Sequence, residues 1–201
     1  VELFKILNLK SFINLNESTY LKEIFNLIFP EFDNLQRLDR LSKIFNHSQL
    51  NRNLLLATLL LDDKNSHEYF GHKYSISNDI KDNLNLFAKN LKTIRENKDF
   101  FTKDLEKNIY LNGKNHIINL NILYFVINSK LKLKDFFETL KRILKTKTHQ
   151  FSIDGNYLMK YGMKQGALMG KALEQIEAEW IRNNFKISKE RIQELIRSYS
   201  S

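Results

Sequence analysis

The chain of 201 residues has no cysteine, one proline and six glycines. Without cysteine there is no disulfide framework, no thiolate nucleophile, no cysteine-ligated zinc finger and no iron–sulfur cluster, and nothing argues for an oxidising compartment. Long apolar runs are lacking too. The longest, Leu54 to Leu61, is interrupted by Thr58 and falls far short of the roughly 18–20 residues a membrane span needs. The opening VELFKILNLK has none of the charged lead, apolar centre and small-residue cleavage site of a signal peptide. The expectation is a soluble, cytoplasmic protein that is not exported and has no membrane partner. The first residue is Val rather than Met, which fits an alternative start, processing or a piece of something longer.

Scarce Pro and Gly, with apolar residues recurring three and four apart, predict an all-α fold. Its expected form is an irregular multi-helix body with a small C-terminal helical tail domain. At this length a helical chain buries roughly 70 % of the surface it exposes when unfolded, enough for a real core. Helices are expected near 1–11, 18–29, 33–46, 50–62, 76–95, 99–111, 114–129, 132–145, 154–161, 166–184 and 188–199. Pro30 stops the second, because its ring disfavours helical geometry at Phe29 and it has no N–H to donate. Ser77 and Ser188 stand where N-caps are needed. The run DDKNSHEYFGHKY, residues 62–74, is polar and aperiodic and reads as a loop. Four of the six glycines fall between 155 and 170, and a domain boundary is placed just before them.

Lys and Arg total 32 against 23 Asp and Glu, a net charge of +9 that favours a polyanionic partner. The excess is uneven. Residues 141–201 hold twelve basic and six acidic side chains, whereas residues 1–140 hold twenty and seventeen, so nucleic-acid contacts are expected in the last third.

Motifs for chemistry fail one by one. In His67-Glu68-Tyr69-Phe70-Gly71-His72 the second imidazole comes five residues after the first, not four, and on a helix that turns it about 140° away from a shared metal. Gly166-Ala-Leu-Met-Gly170-Lys171-Ala172 is one residue short of a phosphate loop and has Ala where a magnesium-binding Ser or Thr belongs. Neither Asp62-Asp63 nor Glu177 with Glu179 converges on one point, as two-metal nucleotidyl transfer requires. No Gly-x-Ser-x-Gly elbow occurs. The chain's own residues therefore supply no catalytic group and no metal site.

Residues 164–184 are more informative. On a helical wheel Met169, Leu173, Ile176 and Trp180 form one stripe that must face a core. Lys171 and Arg182 lie opposite it, Lys164 stands at the N-terminal end of the same face, and Lys160 extends the surface from the preceding short helix. Gly162 is expected at a helix C-cap, followed by a glycine face, Gly166 and Gly170, that another helix or backbone approaches closely; the same bare backbone admits a phosphate. These cations and glycines are the candidate RNA-binding residues; the alternative is an ordinary solvated face, which Glu174 and Glu179 partly neutralise.

The stretch FSIDGNYLMKYGMKQGALMGKALEQIEAEWIRNNFKISKERIQELI, residues 151–196, resembles the C-terminal region of bacterial-type class II CCA-adding enzymes and poly(A) polymerases. The matching residues are Phe151, Gly155, Leu158, Gly162, Gly166, Gly170, Leu173 and Trp180. LIFPEFDNLQRLDRL, residues 27–41, is similar to the Pro-Glu turn and Leu-rich helix after the neck, RNLLLATLLL, residues 52–61, to the first body helix, and YSISNDIKDNL, residues 74–84, to the segment after it. The resemblance implies that 1–48 is the end of the neck and start of the body, 49–148 the helical body and 149–201 a basic helical tail. In that family a β-sheet head with paired carboxylates does the chemistry with magnesium and ATP or CTP, the neck selects the nucleotide, and body and tail grip tRNA or other RNA. This chain has no Gly-Gly or Gly-Ser turn and no Asp-x-Asp, and it starts after the nucleotide-selecting motif. The resemblance thus implies an RNA-gripping part that acts in tRNA 3′-end processing with a separate head chain; a remnant, a free-standing RNA-binding module and a protein-interaction module are the alternatives. Leu3, Phe4, Ile6, Leu7 and Phe12 are expected to form the exposed apolar patch on which a head chain docks.

Overall fold

The computed structural model describes residues 2–7, 9–45 and 51–200. It bears out the all-α expectation: about 70 % of the chain is helical, and no strand occurs among the described residues. The helices are α1 (Glu2–Leu7), α2 (Thr19–Ile28), α3 (Leu38–Leu41), α4 (Arg52–Leu60), α5 (Ser66–Lys73), α6 (Asn78–Glu96), α7 (Leu105–Asn112), α8 (Lys114–Ile127), α9 (Leu133–Lys145), α10 (Gly155–Lys160), α11 (Ala167–Arg182) and α12 (Lys189–Ser200), with 3-10 turns at Lys10–Glu17 and Leu35–Arg37. No described helix is long and apolar enough to cross a membrane. The chain forms two compact units: Val1–Leu105 with Gly113–Lys145, and Glu106–Asn112 with Thr146–Ser201.

In the first unit α4 and α8 are the inner helices. Every residue of α4 from Leu54 to Leu60 is buried, and α8 buries Ile117, Leu120, Ile122, Leu123, Phe125 and Val126. A helix apolar on all sides has no solvent face to offer, so α4 lies against α6 and α8, and α8 against α3 and α9. The one hydroxyl inside α4 is harmless, because Thr58 Oγ1 donates to the Leu54 carbonyl at 2.9 Å within the same helix. The same unit holds a chain of rings in edge-on or tilted contact, Phe12, Phe25, Phe29, Phe32, Phe70 and Tyr74, with successive centroids 4.7–5.5 Å apart from Phe12 to Phe25, from Phe25 to both Phe29 and Phe32, and on through Phe70 to Tyr74.

Burying α4 and α8 also buries their C-terminal carbonyls, which no residue of the same helix can satisfy. One short segment meets both. Asn34 Nδ2 donates to Leu59 O at 3.1 Å, and the Arg37 guanidinium donates to Thr58 O at 2.9 Å and Leu61 O at 2.7 Å, closing the end of α4. Arg40, one turn further on, donates to Phe125 O at 2.8 Å, Asn128 O at 3.2 Å and Leu131 O at 2.8 Å, closing the end of α8, and its guanidinium lies 4.1 Å from the Phe125 ring centroid.

Several elements differ from expectation. The loop expected over 62–74 contains α5, whose buried positions are His67, Phe70 and Gly71. Their spacing is helical, but only one of the three is apolar, so no amphipathic signal exists. Asp62 starts this helix: its carboxylate accepts from Lys64 N at 2.9 Å, Ser66 N at 3.1 Å and Ser66 Oγ at 2.6 Å. Burial pushes the Asp62 carboxyl up, and these hydrogen bonds outweigh it, leaving the pKa below the usual aspartate value. The helix expected from 99 begins only at Leu105, because Asn97 and Asp99 side chains hold the preceding turns: Asp99 N donates to Asn97 Oδ1 at 2.8 Å and Asn97 Nδ2 to Asp104 Oδ2 at 2.7 Å. The helix expected over 1–11 is α1 followed by a 3-10 turn, and that over 33–46 is a 3-10 turn and α3, its last residue lying outside the described set. Pro30 does stop α2, which ends at Ile28.

The expected N-terminal patch is also corrected. Leu3, Leu7 and Phe12 are buried and Phe4 and Ile6 half-buried. Four exposed apolar side chains instead lie together on α2, where Tyr20, Leu21, Leu27 and Ile28 face solvent, Leu27 with 83 % of its surface.

Arg40 generates a prediction. Arg40→Ala removes the guanidinium from the part-buried Phe125, Asn128 and Leu131 carbonyls and is expected to cost about 3 kcal/mol; Arg40→Lys recovers less than half, since an ammonium cannot span several acceptors as a planar fork does. Urea denaturation with an unchanged slope measures both, and a loss below about 1 kcal/mol for Arg40→Ala would show that solvent reaches that helix end.

Candidate nucleic-acid interface

The second unit is built on α10, α11 and α12. Leu158, Met163, Met169, Ala172, Ile176, Ile192, Leu195 and Ile196 form its core. Of the stripe expected to face a core, Met169 and Ile176 are fully buried, whereas Leu173 is half-buried against the core and Trp180 sits half-buried among other rings. Ala172 takes the buried place beside them.

Asp154 starts α10 by accepting from Tyr157 N at 2.8 Å. Gly162 ends it, as expected. Its φ of +88° lets its N–H reach Met159 O at 3.0 Å while Met163 N reaches Leu158 O at 3.2 Å, the paired bonds of a Schellman turn, and Met163 and Leu158 meet in the core. Gly166, at φ +155°, sits at the N-cap of α11. This junction, residues 160–171, carries most of the candidate residues.

Lys160, Lys164, Lys171 and Arg182 are all exposed, as are Gly166 and Gly170. None of the four cations makes a hydrogen bond or ion pair among the described residues. Of the acidic side chains on α11, Glu179 accepts from Arg191 Nε at 2.8 Å and from its Nη2 at 3.1 Å and also feels the charge of Arg182, Glu177 accepts from the Tyr110 hydroxyl, and Glu174, one turn after Lys171, is exposed. The hydrogen bond from Arg191 holds the Glu179 carboxyl below the usual glutamate range. Burial and that bond to Glu177 push the Tyr110 hydroxyl up to about 12. Lys171 and Arg182 are eleven residues apart, nearly in line along α11 and separated by roughly 16 Å of helix.

The expected close packing at the glycine face is overturned. A Cβ at Gly162, Gly166 or Gly170 would meet nothing within 4 Å, so among the described residues none packs onto that side of them. The glycine that does receive a neighbour is Gly155, where a Cβ would stand 3.0 Å from Met169 Sδ. What remains at Gly166 and Gly170 is open backbone at the N-terminal end of α11, flanked by Lys164 and Lys171, an arrangement that favours a bound anion.

No group of three His, Asp or Glu capable of holding a metal occurs among the described residues. Asp63 pairs with Arg95 at 2.7 Å while Asp62 caps α5, so this acidic pair does not converge. In the same helix His67 is buried with its Nδ1 unpartnered, and His72 is exposed. Ser188 caps α12 through a bond accepted from Arg191 N at 3.1 Å, whereas Ser77 stands at the start of α6 and contributes only its carbonyl.

A feature unforeseen in the sequence is a ring cluster in which Trp180 meets Tyr110, Phe151 and Phe185 at 4.9–5.3 Å and His149 stacks on Phe185 at 3.7 Å. The signal for it was the Asn183-Asn184 pair directly after a helix, since Asn tolerates the left-handed turn that brings Phe185 back. Compared with protein-family models, curated proteins and solved structures, the chain matches none.

A clean stability test separates internal packing from openness at Gly170. Gly170→Ala is expected to raise stability by about 0.5–1 kcal/mol, because Ala gains helix propensity and meets no neighbour. A destabilised variant in thermal or urea melts would mean that a neighbour packs there.

Proposed function

We propose that this chain is the RNA-gripping helical part of a class II CCA-adding or poly(A)-type nucleotidyltransferase. It binds folded RNA, tRNA first, in the cytoplasm and transfers no nucleotides by itself. The observation that carries this reading is the set of unpaired cations, Lys160, Lys164, Lys171 and Arg182, on the open glycine backbone of the α10–α11 junction. Exposed and without a hydrogen-bonded partner among the described residues, these charges suit phosphates. Contacts of this kind grip backbone and shape rather than base identity.

Chemistry then requires a catalytic head, on this polypeptide or on another, that brings the paired carboxylates, magnesium and ATP or CTP. The exposed apolar face of α2, with Tyr20, Leu21, Leu27 and Ile28, is the surface suited to such a partner. That same face favours a second reading, a helical protein-interaction module that binds no RNA.

Fluorescence anisotropy on labelled tRNA across a salt series tests the proposal. Lys164→Ala, Lys171→Ala and Arg182→Ala combined should weaken binding and make the salt slope shallower by up to about three units. The triple variant stays folded, because all three side chains point to solvent. Unchanged binding moves the RNA site off this face, and no binding by the parent chain leaves the interaction-module reading. With magnesium, labelled ATP or CTP and tRNA lacking its 3′ end, the chain alone should give no extension; activity above a contaminant control overturns the division of labour with a head chain.

A further inference from the structure

The C-terminal end of α11 is built to hold aromatic rings partly open. Asn184 and Phe185 both adopt left-handed backbone, at φ 54° and 60°, a conformation uncommon for Asn and costly for Phe. The turn is closed by Phe185 N donating to Trp180 O at 2.8 Å. It returns Phe185 onto the Trp180 ring at 4.9 Å and 77°. On its other flank His149 lies parallel to Phe185, 3.7 Å away at 9°, and is itself held by Glu106, whose carboxylate is 2.9 Å from His149 Nε2.

Beside these rings lies an open pocket of about 370 Å³, lined by Phe151, Tyr157, Trp180, Phe185, Ser152 and Lys186 among others. The volume is within the roughly 300–1,000 Å³ range of small-ligand sites. All four aromatic side chains are only half-buried, so each keeps surface for a further flat group, and the Lys186 side chain at the rim is exposed. No carboxylate lines the pocket. Ring surface with one cation and no acid complements a flat, electron-rich group that carries a negative charge.

We infer that this pocket receives an unpaired nucleobase of the bound RNA, stacked against the rings, with its phosphate at Lys186. The inference rests on the RNA-binding reading and adds to it a second contact of different chemistry. Stacking of this kind accepts any base, because every base has a π face. Trp180 lies on the side of α11 away from Lys171 and Arg182, so the two contacts are separable by mutation.

Trp180 is the only tryptophan of the chain, and its emission therefore reports on the pocket. The full chain is titrated with a short single-stranded RNA, the blunt duplex of the same sequence, and AMP at equal nucleotide concentration, while anisotropy follows the labelled RNAs. The single strand should quench Trp180, and the duplex should bind without quenching. Ser152→Phe, which places a ring in the pocket from an exposed position, should abolish the quench and weaken single-strand binding roughly 5- to 100-fold, with duplex affinity unchanged. Lys186→Glu should weaken the single strand in the same direction without filling the pocket. The triple variant of the basic face should lose affinity for both RNAs and still quench at saturation. Single-strand binding without quenching, or with Ser152→Phe and Lys186→Glu both indifferent, overturns the base pocket and leaves the RNA reading standing. Quenching by AMP as strong as by the strand makes it a free-nucleotide site and overturns the assignment to RNA. Failure of both RNAs to bind overturns the pocket and the RNA reading together.

Discussion

The first unit depends on two guanidinium groups that one short helical segment gives to the ends of two buried helices. A helix such as α4, or the apolar second half of α8, gains stability by leaving water, yet its last carbonyls leave water with it. Each unmatched carbonyl would then cost about as much as a lost hydrogen bond. Arg37 and Arg40 stand three residues apart, hence on one side of their segment, and each guanidinium can serve several acceptors at once. Their positive charge also meets the negative ends of the two helix dipoles. The order of the chain follows: a single turn ahead of α4 fixes where both α4 and α8 can end.

How much of this was legible follows from what each residue does. The all-α class, the stop at Pro30, the cap at Ser188 and the turn at Gly162 were readable because their cause is local. The N-terminal apolar residues were misjudged because periodicity says that Leu3 and Leu7 share a face, and that Phe12 is apolar in the turn after it, and says nothing about whether this chain covers them. In α5 the failure is of another kind: His67 and Gly71 occupy buried positions that a hydrophobic pattern does not recognise. Glu106–Asn112 falls in the same unit as the C-terminal segment, a long-range partition with no composition signal, and Tyr110 could not be associated with Trp180 from their spacing in the chain. For the candidate site, exposure of Lys171 and Arg182 was legible from the wheel, whereas Lys160 and Lys164 lie outside α11. That the glycines are bare rather than packed was not legible, since the same spacing serves both uses.

The second unit uses one device twice. At Gly162 a left-handed residue reverses the chain after α10 and brings Met163 back onto Leu158; at Asn184 another reverses it after α11 and brings Phe185 back onto Trp180. The first contact is aliphatic and buried, and its return segment delivers Lys164 and Gly166 to solvent. The second is aromatic and half-open, and its return segment delivers Lys186. In both cases a hydrogen-bonded cap, satisfied within the chain, determines where an unsatisfied group points outward.

Charge is divided along the same lines. The arginines Arg37, Arg40, Arg95 and Arg191 donate to carbonyls or carboxylates, whereas Lys160, Lys164 and Lys171 keep theirs for solvent. The net charge of +9 overstates what a polyanion meets in residues 1–140, where twenty basic side chains face seventeen acidic ones. On the proposed function the junction's lysines, hydrated point charges on flexible stems, adapt to a phosphate backbone of any sequence, and their attraction fades as salt rises. Ring stacking at the far side of α11 has the opposite character, short in range, orientation-dependent and little affected by ionic strength. Joining the two on one helix lets a nonspecific, salt-sensitive grip be oriented by a contact that duplex RNA, with its bases already stacked, has no free group to make.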